Sequence, residues 1–255
     1  MMRMYAIAAN TFRETMRDRI LFSLFFFAAL LLLTSAAMEE ITIGDSRHVV
    51  RSVALGAIRV SGSVIALFLG VGLVYKELEK KTIYTIASKP IPRWVFVLGK
   101  YFGLMAVIAV LTGLMLVLYM GMVTVQQGFP GFTVLPAMYL LIVELALLTA
   151  WAILFSTYSS PTVASLFSIA VFVIGHLADD IWIFGSQAES VAVQELSRVV
   201  YWVLPNFEVF NVFDTAVHGI PTEPDRILWA SLYGLGYTAA VLAVACVVFE
   251  RRDFK

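Results

Sequence analysis

The chain has 255 residues, 60% of them hydrophobic and only 14% charged, with 18 basic and 18 acidic side chains. An average soluble domain carries about 25% charged residues, so a soluble globular enzyme or nucleic-acid binder is a poor fit. The charges cluster between long uncharged runs, which is the pattern of alternating spans and loops. The one cysteine, Cys246, lies in an apolar run and can form neither an intrachain disulfide nor a zinc site.

Residues 1–19 are amphipathic and too polar to span. Met4, Ala8, Phe12 and Met16, with Ile7, form one side, and Arg3, Asn10, Arg13, Glu14, Arg17 and Asp18 the other. That spacing predicts an interfacial helix with its cations near anionic headgroups. The uncharged run 20–38 is longer than the apolar core of a signal peptide, and we read it as a retained first span. The second span is 53–75 and carries Arg59.

Residues 76–94 form a cytoplasmic loop. Lys76–Lys81 is dense in charge of both signs, Ile83, Ile86 and Ala87 give a short apolar face, and Pro90 and Pro92 stop a helix. Arg93 and Trp94 stand where a chain re-enters a membrane. Further spans are expected at 95–125, 134–155 with Glu144 inside, a short one at 162–178, and 227–249.

Between the last two spans lies a long connection, 179–226. Val193, Leu196, Val200 and Val203 predict an amphipathic helix ending at Pro205. Asn206 is placed to cap a second short helix bearing Phe207, Phe210 and Phe213 and ending near Gly219. The expected architecture is all-α and polytopic, a single domain of six transmembrane helices with an N-terminal elbow, a loop helix and short outer surface helices.

The Lys/Arg bias orients it. With both termini in the cytoplasm, 13 of the 18 basic residues fall inside and 5 outside, while the acids divide 6 inside and 11 outside. The reverse orientation would invert this bias.

Three segments together carry a resemblance. TFRETMRDRILFSL at 11–24 is similar to an elbow helix running into a first span. ELEKKTIYTIASKPIPRWVFVLGK at 77–100 matches a loop pattern at Glu79, Thr82, Ser88, Pro90, Arg93, Gly99 and Lys100, and departs from it at Lys81, where Gly is usual. LPNFEVFNVFDTAVHG at 204–219 is similar to an outer motif. The chain thus resembles the permeases of type-2 ABC exporters, most of all the subgroup associated with multicopper-enzyme maturation, which includes the permease of nitrous-oxide-reductase maturation.

The resemblance implies a homodimer of permeases in a bacterial cytoplasmic membrane, with two cytoplasmic ABC ATPase subunits that hold the ATP and Mg. It also implies that the first cytoplasmic loop couples to the ATPase, through Glu77, Glu79, Lys80, Lys81, Thr82, Tyr84, Ser88 and Pro90. The residues agree that no cofactor binds in this chain, since it has no G-x-x-x-x-G-K-[ST] phosphate loop. Nucleic acid is not an expected partner; the lipid bilayer is.

Arg59 and Glu144 are the candidate polar conduit residues, because charge inside a span is costly unless paired or hydrated. Glu144 either faces a central cavity or hydrogen-bonds between helices. Asn206, Phe207, Phe210, Asn211 and Phe213 are the candidate outer gate. His176, Asp179 and Asp180 would share one face of a continuous helix, either as a polar span end or as a metal or proton site.

Three functions follow: an ATP-driven permease; a non-transporting ABC-type subunit transmitting force to an outer cargo or accessory protein; and, ranked last, an intramembrane enzyme or metal handler using Glu144 and the His176 cluster.

Overall fold

The computed structural model describes residues 2–41, 46–79 and 92–251, and among them helices and short turns account for the fold, with no strand. A helix satisfies its own backbone polar groups, which is what an apolar surrounding demands. The helices in chain order are α1 Met2–Thr15, α2 Arg19–Ile41, α3 Ser46–Glu79, α4 Arg93–Gln127, α5 Val134–Tyr158, α6 Pro161–His176, α7 Ala178–Ser186, α8 Val191–Val203, α9 Phe213–Val217 and α10 Pro224–Arg251.

Four of these, in α3, α4, α5 and α10, are long and apolar enough to cross a membrane. Two bent pairs, α1 with α2 and α6 with α7, raise the number to six if each pair is one span. Except for α6, which ends at His176, two residues short of its expected end, the helices reach beyond the expected spans at one or both ends. The largest excess is in α3, which is a single helix of 34 residues, about 50 Å long at 1.5 Å per residue. Glu77 and Glu79 therefore continue this helix instead of belonging to a separate one. Lys80, Lys81, Thr82, Tyr84, Ser88 and Pro90 lie outside the described residues.

α5 is the hub. It is apolar all round, as a fully enclosed helix must be, and 78% of its most apolar stretch is buried, against 33–56% for the other three long helices. α3, α4, α6 and α10 pack around it. α2 leans on α3 through Leu21, Ala28 and Leu32, while Phe22, Phe26 and Phe27 point away from the protein.

One end of the bundle, here called the base, is where α1 meets the start of α4. α1 and α2 bend by 65° across residues 16–18, and Asp18 caps α2 by accepting from Ile20 N at 3.0 Å. Gly99 and Gly103 lie under Ile7, Ala8 and Thr11 so closely that a Cβ would collide with them. Small residues four apart let two helix backbones approach in this way. Lys100 Nζ lies 4.0 Å from Glu14 Oε2. Arg93 donates to Glu250 O at 2.9 Å and so satisfies a carbonyl of the last turn of α10.

The opposite end, the crown, departs most from expectation. α6 has 16 residues, about 24 Å, short of the roughly 30 Å hydrocarbon. It breaks at Leu177 and α7 leaves at 62°. α7 and α8 form a hairpin in which Gly185 faces Ser197, and α8 stops just before Pro205. The chain then turns back into the bundle: Phe207 N donates to Gly175 O at 2.9 Å. The second short helix is in fact a 3-10 turn, Glu208–Phe210, followed by α9. Asn206 Oδ1 accepts from Glu208 N at 2.9 Å and Asn211 Oδ1 from Phe213 N at 3.3 Å. These side-chain turns compete with a continuous helix. Gly219, at φ 70°, ends α9.

Candidate functional site

Two glycines build the seat of the returning segment. A Cβ on Gly175 would strike the Phe207 ring and the Pro205 carbonyl, and one on Gly234 of α10 would strike Phe210 and Val143. Phe207 and Phe210 have no exposed surface, and Phe213 is buried. The expected outer surface helix bearing these rings is therefore corrected: the rings are a plug inside the crown. The segment is tied down by Asn206 Nδ2 to Asp179 Oδ1 at 2.7 Å, by Asn206 N to Tyr233 Oη at 2.9 Å and by Arg226 to Asn211 O at 2.8 Å.

Beneath the plug lies a buried ionic cluster. Glu144 on α5 is 0% exposed. Arg59 on α3 donates through Nε to Glu144 Oε1 at 3.4 Å, and its Nη2 lies 3.3 Å from Oε2. This second contact is a charge contact only, since neither atom has a hydrogen-bond partner. The same Nη2 is 3.9 Å from Glu208 Oε2 of the returning segment, and Arg59 Cζ is 5.6 Å from the centre of the Phe213 ring. Arg59 thus turns inward, 15% exposed, and does not snorkel.

His176 completes the cluster. Its Nδ1 donates to Phe172 O at 2.8 Å, and its Nε2 lies 3.1 Å from Glu144 Oε1. A carbonyl can only accept, so Nδ1 holds a proton. The Nε2–Oε1 contact then needs one further proton between imidazole and carboxyl.

The expected line of His176, Asp179 and Asp180 does not form, because the break at Leu177 turns the two aspartates away from the histidine. Asp179 goes to Asn206, and Asp180 is exposed. No cluster of three or more His, Cys, Asp or Glu suited to a metal occurs among the described residues. Of the gate candidates, Asn211 Nδ2 donates to Glu208 Oε1, and Phe213 meets Arg59. Sequence reasoning named Arg59 and Glu144 but missed Glu208 and the link to His176. It also missed His48 and Arg51, which meet the Val217 carbonyl from α3. The available signal was spacing: residues 48, 51, 55 and 59 lie on one face of a helix.

A charged cluster between apolar helices, under a re-entrant plug, is the construction of a protein that works within the bilayer. Comparison of the sequence with protein families matches residues 5–254 to the family described as ABC-2 family transporter protein. The chain belongs to the ABC-2 transporter family. No curated protein matches it. As an ABC-2 permease domain it is a multi-pass membrane protein and a membrane subunit of an ABC transporter. Domains of this family are transport subunits that are not themselves catalytic and generally partner with ATPase subunits.

Proposed function

We propose that this chain is the permease of an ATP-driven exporter, of the multicopper-enzyme-maturation type, acting as a homodimer above two ABC ATPase subunits that bind ATP and Mg. Its termini are cytoplasmic, in a bacterial inner membrane, and the base faces the ATPase. On this reading each bent pair is one crossing, giving six spans. α1 is the interfacial elbow, residues 76–94 are the coupling loop, and Asn206, Phe207, Phe210, Asn211 and Phe213 form the outer gate, with Arg59 and Glu144 beneath it.

The observation that carries this reading is α3. One unbroken helix runs from Ser46 to Glu79, so that Arg59 in the crown and the start of the coupling loop share one rigid element. A push at the loop reaches the gate without passing through a joint. ATP-driven closure of the motor dimer would supply that push.

The test is Glu79→Ala and Lys81→Asp, purified through a tag on this chain with the ATPase co-expressed. Both variants should recover less ATPase, or hydrolyse ATP without stimulation by the permease. Full recovery and full stimulation would overturn the coupling role.

The shut plug of Phe207 and Phe210 favours a second reading, in which the dimer has no conduit and the crown transmits force to an outer cargo or accessory protein. Movement of that partner on ATP hydrolysis, without transfer of any solute, would favour it over export.

A further inference from the structure

α3 and the returning segment meet along one line. His48, Arg51, Leu55 and Arg59 share a face of α3. Arg51 Nη1 donates to Val217 O at 3.4 Å, and His48 Nδ1 donates to the same carbonyl at 3.3 Å. The His48 ring stacks on His218 with centroids 4.7 Å apart. Leu55, on the same face, is fully buried. Lower on the same face, Arg59 meets Glu208 and Phe213.

The contacts of Arg59 are unequal. Its pairing with Glu144 is enclosed and includes a hydrogen bond, and parting the two would strand a charge in the bundle. Its contact with Glu208 is longer, 3.9 Å, and reaches a carboxylate that is 39% exposed. Glu208 also keeps its own donor, Asn211, on the same segment. Separation there leaves Arg59 on Glu144 and Glu208 on Asn211, so neither charge is abandoned. Partly exposed ion pairs are worth little and break readily. The crown therefore has a built-in parting line between α3 and residues 206–218, with the Arg59–Glu144–His176 group staying on the bundle side.

We propose that Glu208 and Arg59 are positioning residues that latch the returning segment against α3, and that the crown opens along this line when α3 is driven from its Glu79 end. The proposal rests on the permease reading for its driving force, though not for the contact itself.

The experiment uses the full chain with its ATPase in lipid nanodiscs. Cys246 is replaced by Ser and Ala216, buried on α9, by Cys as a reporter. The rate of labelling by a water-soluble maleimide is measured without nucleotide and during ATP turnover. With Glu208 intact, labelling should be slow without nucleotide and faster during turnover. Glu208→Gln keeps the Arg59–Glu144 pair, so the complex should melt where the parent does. Its nucleotide-free labelling should rise about fivefold, the factor expected for losing one partly exposed charge contact. Glu208→Asp should restore part of the protection, which a merely structural role would not predict.

An unchanged nucleotide-free rate in Glu208→Gln would overturn the latch. This comparison needs no ATP, so it stands apart from the functional reading. Failure of ATP to accelerate labelling in the parent complex would count against the driven opening and against the permease reading, whatever Glu208→Gln does.

Discussion

A carboxylate in an apolar span costs at least a few kcal/mol unless it is paired, and Glu144 is paired twice, with Arg59 and His176. Removing one partner of a buried ion pair typically costs about 3–5 kcal/mol, because the other charge is left behind. Glu144→Leu should therefore lower the melting temperature of the detergent-solubilised chain markedly, and Arg59→Met with Glu144→Leu should recover most of the loss. A double variant no more stable than the single would contradict the pairing. The sequence exposed both residues, since a lone charge stands out in an uncharged run. It could not join them, because their meeting depends on how α3 and α5 are rotated about their axes. It joined His176 to the wrong partners, because His176, Asp179 and Asp180 align only on an unbroken helix. The break depends on a carbonyl of Gly175 that is claimed by Phe207, far along the chain.

Between elements, close approach is set by glycine. Gly234 admits the Phe210 ring and Val143 against α10. Gly234→Ala should overpack that seat and cost about 1–3 kcal/mol. Gly113→Ala, on a helix face with nothing within reach of a Cβ, should leave the melting temperature near the parent value. Equal effects of the two changes would mean that the seat is not packed as described. At the base, Gly103→Val should push α1 off α4, since its Cβ would meet the Ala8 carbonyl and Thr11. A cysteine pair across α1 and α4 should then cross-link more slowly, whereas an unchanged rate would refute the docking. The long helices were legible because apolar length and Lys/Arg clusters mark them directly. The end of α8 was legible because Pro205 stops it. The re-entrant course of residues 204–212 was not, because Asn206 looks like a helix cap in sequence, whereas Asn206 and Asn211 both act as turn formers in the fold. A Phe-rich stretch between them looks equally suited to a surface or a plug.

At the scale of the whole chain, the ABC-2 match over residues 5–254 and the helical architecture agree on a membrane transport subunit. The resemblance noted in three short segments reached the same family because the loop pattern at 77–100 keeps its spacing despite Lys81. What the sequence lacked was the extent of the second span: read as 53–75, it lies in one helix that joins Arg59 to Glu79. On the proposed reading, that helix is a lever between a motor and a gate. The most direct test of a permease worked by a separate motor is native mass spectrometry of the tagged chain, co-expressed with the ABC ATPase of the same organism. The account predicts an assembly of two copies of this chain with two ATPases, which hydrolyses ATP. Recovery of this chain alone, with the ATPase left in the unbound fraction, would contradict it.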